Sequence, residues 1–525
     1  MKKLSNWFKT LDLKFIHYVL VFYVLFMTLW PKIPFKMVDY TYIAVRYEDF
    51  FMVFVVLVFF VDIIRRKVTF RDNPFIIPIV CFWIVAFVSF FVGFYYYQTI
   101  KTVQLGFLNS ARRVEYMVIF FIIFASLRNK AQFYLLLNVL MGVLGFVSLY
   151  GIGQKFLGFP AIQTMNPHYA KGYLLFLDAT ARISSTFGGH YDFAAYLTYL
   201  IPLVLGVYIA NGKKRYFAIF FVALFALILT ASRISYGAYL LTMFPFLLLI
   251  RKWKLFIVVA LITVILTPLS QNLTQRISRT FREQRIWYDP VSGTSFVPRT
   301  IRPDDLPPGD FLIGKTKEQV APLKGATAAA VIKGAPKKTG KMITLSKNEL
   351  KNVKKEIRLR IEESAKKTGK IFNEAEINKM VDDTFATLQP AQSIVPDISF
   401  ATRLQVEWPR AVAAFYKSPI IGLGPSSITE ATDNNLLRTL GEFGLLGFFF
   451  FYGTIGIISW KLWMAYRKSK TSEKYIFMGL FVGTGALMVN ATYIDVFEAS
   501  KVAFIIWFVW GMFMKYLILP VPKIK

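Results

Sequence analysis

The chain has 525 residues, of which 55% are hydrophobic and 17% aromatic, with 53 Phe. That is more apolar surface than one soluble core needs, so a soluble enzyme is excluded. The single Cys81 excludes an intrachain disulfide. The net charge of +31 would suggest nucleic acid in a soluble protein. Here cytoplasmic loop anchors and a basic loop domain suited to acidic head groups or phosphates account for it, and no nucleic-acid partner is expected.

Met1 to Lys14 is basic but lacks a small-residue cleavage site after its apolar run, so a retained first span is expected. Apolar stretches long enough to cross about 30 Å of hydrocarbon follow at about 15–30, 47–64, 75–97, 111–127, 131–152, 191–210, 214–231, 234–250, 254–270, 436–459, 475–494 and 501–519. Basic clusters mark every second connection: Arg65-Arg66-Lys67, Arg128/Lys130, Lys213-Lys214-Arg215, Arg251-Lys252 and Arg467-Lys468. The positive-inside rule places these clusters and both termini in the cytoplasm. The expected fold is an all-α polytopic membrane protein with about twelve transmembrane helices. Residues 1–270 carry helices one to nine, 271–435 form one large extracytoplasmic loop domain, and 436–525 carry helices ten to twelve.

The first half of the large loop is rich in Pro and Gly (Pro298, Pro303, Pro307, Pro308, Gly309), which suits turns and extended strands. Ser346 to Glu349 reads as a capping box, followed by Leu350, Val353, Ile357 and Ile361 at helical spacing. A second helix is predicted to start at Asn373, with Glu376 three residues on and Ile377, Met380, Val381 and Phe385 on one face. Two such amphipathic helices either cap a site or pack on the bundle.

Four clusters collect on the exterior side: Arg182 to Asp192, Ser232-Arg233, Arg403 to Arg410, and Asp433 to Glu442. An arginine just outside a span suits phosphate, because its planar fork stays charged and donates in pairs. Several would hold a pyrophosphate and stabilise it as a leaving group. The competing reading of Arg233 and Arg403 is that of interfacial anchors that snorkel to head groups. Asp433 is a candidate general base for a sugar hydroxyl and equally a candidate N-cap for span ten. Glu442, one turn inside an apolar run, is costly to leave unpaired and calls for an arginine partner. The histidines His17, His168 and His190 are scattered, no His/Cys spacing suits zinc, and there is no phosphate-binding Gly-rich motif. Neither metal nor cofactor is therefore expected.

At these clusters the chain resembles the O-antigen ligase superfamily, which also holds O-antigen polymerases. Arg182-Ile-Ser-Ser-Thr-Phe-Gly leads into a span as in that family, and Leu229-Thr-Ala-Ser-Arg233 is similar to its Thr/Ser-Ser-Arg-Gly signature, with Ile234 in place of Gly. Arg403 to Trp408, Pro419 and Gly422-Leu-Gly424 look like the run that closes its large loop. Asp433-Asn434-Asn435-Leu-Leu through Gly441-Glu442-Phe-Gly444-Leu-Leu-Gly447 is similar to its His-Asn-x-x-Leu…Glu-x-Gly-Leu-x-Gly pattern. The resemblance implies a metal-independent glycosyltransferase in the cytoplasmic membrane of a prokaryote. It would move a glycan from polyprenyl pyrophosphate to a sugar or lipid-linked acceptor. Arg233 and Arg403, with Arg182, Arg410 and Asn434, would bind the pyrophosphate. The family histidine aligns with Asp433, so either Asp433 takes over as base or the role moves to His190 or Glu442. A polymerase of the same superfamily, and a flippase for lipid-linked glycans, are the alternatives.

Overall fold

The computed structural model describes residues 12–37, 44–65, 73–100, 102–164, 172–178, 181–278, 280–288, 295–296, 354–355, 357–359, 361–362, 365, 372–396, 400, 402–428 and 432–519. Among them the chain divides into two compact units. One runs up to Ile277 and resumes at Arg410; the other lies between Ser278 and Pro409.

In the first unit the twelve apolar stretches coincide with helices. These are α1 (Phe15–Leu29), α2 (Tyr47–Ile64), α3 (Ile76–Phe91, prolonged by a π-helical turn Val92–Tyr96), α4 (Val103–Ser126), α5 (Lys130–Phe156), α6 (His190–Asn211), α7 (Lys214–Leu229), α8 (Arg233–Leu249) and α9 (Trp253–Leu266). The short α10 (Gln271–Ser278) follows. The later helices are α12 (Trp408–Lys417), α13 (Asn435–Lys468), α14 (Lys474–Ala491) and α15 (Ser500–Tyr516), with α11 (Glu374–Thr387) in the other unit. Among the described residues, five helices are long and apolar enough to cross a membrane, and a sixth span results if the bent pair 253–278 is counted as one. The first and eighth stretches fall short by length, Phe15–Leu29 and Arg233–Leu249 being apolar helices of under 18 residues. The middle of α4 also carries Arg112, Arg113 and Glu115. The protein is a predominantly helical membrane protein.

Helices α6 and α14 approach closely, through glycine. A Cβ at Gly206 would run into the Tyr475 carbonyl, one at Gly479 into that of Pro202, and one at Gly483 into that of Tyr199. Such small-residue seams replace the hydrophobic drive that lipid cannot supply between helices. Around the seam, Trp507, Trp510, Tyr196, Tyr199 and Phe120 are fully buried, and Trp510 Nε1 donates to Thr484 Oγ1 at 3.2 Å.

The second unit holds a small sheet as well as helix. β1 (Phe281–Tyr288) pairs antiparallel along its whole length with β3 (Gln389–Pro396), from Phe281 opposite Pro396 to Tyr288 opposite Gln389, and β2 (Ser295–Phe296) adds to its other side. Pro390 and Pro396 speak against a strand in the sequence. Among the described residues β3 is an edge strand, where a missing N–H is tolerated. The expected helix at Asn373 is present: Asn373 Oδ1 accepts from Glu376 N at 2.8 Å and Glu376 Oε2 from Asn373 N at 2.9 Å. Its Ile377, Val381 and Phe385 pack with Ile357, Ile361 and Leu388. The capping box at Ser346 to Glu349 lies outside the described residues.

The two compact units divide after Ile277 and before Arg410. Leu273 of α10 is fully buried in the bundle core, and α12 packs Ala411 and Ala414 against Tyr97, Leu423 and Leu437. Both flanks therefore belong to the helical unit.

Candidate functional site

The site begins with a broken helix. Gly444 sits at φ 64°, ψ −165° inside α13, so the helical ladder is interrupted there. A break leaves N–H and C=O groups without partners, which is costly in an apolar setting. The segment 419–424 supplies them. Leu423 N donates to Gly441 O at 3.0 Å and Gly424 N to Glu442 O at 2.9 Å, while Leu445 N donates to Pro419 O at 2.8 Å and Leu446 N to Ile420 O at 3.1 Å. Two glycines make the approach possible: a Cβ at Gly444 would strike the Ile420 carbonyl, and one at Gly422 the backbone of Glu442. The two glycine-containing motifs of the sequence are thus two sides of one structural joint.

Beside this joint lies a buried ionic network. Glu442, fully buried, faces Arg438 Nε at 3.3 Å and Arg113 Nη2 at 3.6 Å, and accepts from Ser426 N at 3.0 Å. Arg113 also pairs with Glu498, and Arg438 Nη1 lies 3.0 Å from Asp495 Oδ2. Burial pushes the Glu498 carboxyl upward, but Arg113 and Arg438 outweigh it and hold the group below the ordinary carboxylate range. Glu442 has the arginine partners its setting demands, and its carboxylate is enclosed by them beside the joint. The helix is capped by Asn434 in place of the expected Asp433: Asn434 Oδ1 accepts from Leu437 N at 3.0 Å, while its Nδ2 donates to Thr492 O at 2.9 Å. Asp433, one residue earlier, is not the cap and is partly exposed, at φ 51°.

The second element is a group of arginines. The turn Thr230–Ser232 has Ala231 at φ 50°, and Ser232 caps α8, its Oγ accepting from Ser235 N at 3.4 Å. This starts α8 at Arg233. Chain and helix turn by 89° after α9, which brings α10 back across the end of the bundle. Arg233 Nη1 then donates to the Arg276 carbonyl at 3.2 Å. Arg182 is drawn to the same place: burial first, then the neighbouring Arg276 and Arg233 guanidiniums, lower it from its ordinary value, although it stays a cation. Arg182 Nη1 donates to His190 Nε2 at 2.5 Å. Because a guanidinium only donates, that ring nitrogen carries no proton and its lone pair is occupied.

Two buried lysines fix the segment carrying Arg182 and His190. Lys501 Nζ donates to the carbonyls of Thr28 (3.2 Å), Thr186 (2.8 Å) and Trp30. Lys32 Nζ lies 3.4 Å from Asp192 Oδ2, and burial lowers that lysine while Asp192 raises it.

The arginine group and the joint meet the same end of α14. Ser235 Oγ, two residues from Arg233, donates to Asn490 Oδ1 at 2.6 Å, and Asp495 accepts from the 432–434 turn; the five residues from Asn490 to Asp495 reach at most roughly 17 Å. Arg410 lies on α12 of the same unit. Arg403 lies in the second unit, 4% exposed, on a π-helical turn Arg403–Glu407. Sequence reading missed Arg276, Arg113, Asp495 and Glu498. The signal for Arg276 was a basic residue in a polar turn right after an apolar span. For Arg113 it was a charge within an apolar stretch, which requires a partner. In comparison with known proteins, the chain matches no family model and no curated sequence.

Proposed function

We propose that this protein is a glycosyltransferase of the O-antigen ligase type, acting at the outer face of a prokaryotic cytoplasmic membrane in cell-surface polysaccharide assembly. It has twelve spans, both termini inside and the second unit outside. What carries this reading is one observation: Arg182, Arg233 and Arg276, from three separate segments, are gathered at one end of an apolar bundle. Three guanidiniums exceed the two negative charges of a pyrophosphate diester and so favour the third charge that develops as polyprenyl pyrophosphate departs. Arg403 and Arg410 rest as pyrophosphate ligands on the family resemblance alone, whereas Asn434 has both ends of its side chain engaged, Oδ1 in capping α13 and Nδ2 on Thr492 O, and is left out of the binding set.

In the reaction proposed, an acceptor hydroxyl oxygen bonds to the anomeric carbon of the donor glycan. The bond from that carbon to the pyrophosphate oxygen breaks, and polyprenyl pyrophosphate leaves with both electrons. The hydroxyl proton passes to Asp433, since Glu442 is enclosed by arginines and His190 Nε2 is engaged by Arg182. A single transfer makes the protein a ligase and a repeated one a polymerase; the same site serves both.

Cells lacking the protein should accumulate polyprenyl-pyrophosphate-linked glycan on the outer face, cleared by the wild-type chain and not by Arg233→Ala or Arg276→Ala at equal expression. Loss of one charge-assisted contact at about 1.5–3 kcal/mol lowers donor affinity by roughly 10- to 150-fold. Accumulation only on the cytoplasmic side would make the protein a flippase instead, and no accumulation would remove the assignment.

A further inference from the structure

Asp433 is held in a conformation that an L-residue rarely adopts, φ 51°, and it sits between two buried neighbours, Thr432 and Asn434. Asp is one of the few non-Gly residues that visit the left-handed region, at a cost of up to about 1–2 kcal/mol, which the contacts that hold the turn offset. Thr432, Asp433 and Asn434 aim three successive N–H groups at one point, forming a concave donor set of the kind that accepts an anion. The chain fills it with its own anion. Asp495 Oδ2 accepts from Thr432 N at 2.9 Å and Asp433 N at 3.1 Å, and Oδ1 accepts from Asn434 N at 3.2 Å. Arg438 Nη1 donates to the same carboxylate at 3.0 Å. Two further bonds fasten the turn to the same connection between α14 and α15: Asn434 Nδ2 to Thr492 O, and Phe497 N to Asn435 Oδ1 at 3.0 Å.

We infer that Asp495 is a positioning residue for Asp433. It fixes the backbone of 432–434, and so the direction of the Asp433 carboxylate, without touching donor or acceptor. The inference rests on the reading of Asp433 as the base. Because the three amides are occupied by Asp495, they are also closed to the donor phosphates. Binding and proton removal are therefore served by separate groups, and damage at Asp495 falls on turnover alone.

The test uses the full-length protein in nanodiscs and two independent readouts. In a Cys81→Ser background, Asp433→Cys is modified with a membrane-impermeant maleimide, with Leu157→Cys, 71% exposed, as control. Adding Asp495→Asn should change the labelling rate at position 433 at least fivefold and leave position 157 within twofold. An unchanged rate at 433 overturns the inference. The second readout is glycan transfer from a polyprenyl-pyrophosphate donor. Asp495→Asn should lower kcat by 10- to 100-fold with donor KM within twofold, and should cost nothing further in an Asp433→Ala background. A raised KM, or a further loss in that background, overturns the inference. Asp495→Glu keeps the charge but displaces it by one methylene. It should fold like wild type and still lower kcat about tenfold, and wild-type turnover in a folded Glu variant also overturns the inference. Altered labelling with no transfer by the wild-type protein would retain the clamp and reject the transferase.

Discussion

Replacing Glu442 by Gln separates a brace from a catalytic base. Glu442 faces two arginines, at 3.3 and 3.6 Å, with no solvent exposure. Removing one partner of a buried ion pair costs about 3–5 kcal/mol, because the other charge is left uncompensated. Here each arginine retains a second carboxylate, Asp495 for Arg438 and Glu498 for Arg113, so the lower end applies, about 3 kcal/mol. Gln keeps an oxygen for Ser426 N, whereas Ala orphans that donor and adds about 1–3 kcal/mol. Denaturant unfolding in micelles, followed by tryptophan fluorescence, should show Glu442→Gln roughly 150-fold less favourably folded and Glu442→Ala lower again. A Gln variant with wild-type stability and no glycan transfer would refute the brace and return Glu442 to catalysis.

Gly444→Ala and Gly422→Ala each put a Cβ into backbone at positive φ, and both should fail to yield monodisperse protein in detergent. Gly453→Ala, in the same region of α13 but with nothing near its Cβ, should be neutral or stabilising by up to about 1 kcal/mol in the same purification. Ser232→Ala removes the cap of α8 and should cost about 0.5–2 kcal/mol in denaturant unfolding, with Ser232→Asn restoring most of it. Glu498 is held below its ordinary value of 4.5, so the folded chain binds fewer protons there than the unfolded one. Its contribution is whole above that pH and is lost as pH falls through the lower folded value. Between pH 5 and 3 the wild-type unfolding midpoint should fall more steeply than that of Glu498→Gln; parallel slopes would contradict the assignment.

The apolar runs made the helices legible, because a stretch such as 191–210 has few other ways to satisfy its backbone groups. The helix at Asn373 was legible for a different reason, its capping box being local. The break at Gly444 was not, although both glycine motifs were visible, since their pairing depends on tertiary contact between segments. Asp495 was hidden for the same reason. It reads as a loop acid after an apolar run, and only the fold reveals the three amides that it faces. The edge strand Gln389–Pro396 was masked by its two prolines.

The joint at Gly444 also bears on how the chain enters the bilayer. The segment that repairs the broken helix precedes its partner groups by only 18 to 26 residues, from Leu423 with Gly441 to Pro419 with Leu445. At about 5–20 residues per second it leaves the ribosome roughly one to five seconds ahead of the break. The helix and its patch can therefore enter the translocation channel together, as a preassembled hairpin. Unsatisfied peptide groups then never face lipid, and the joint needs no later helix to rescue it.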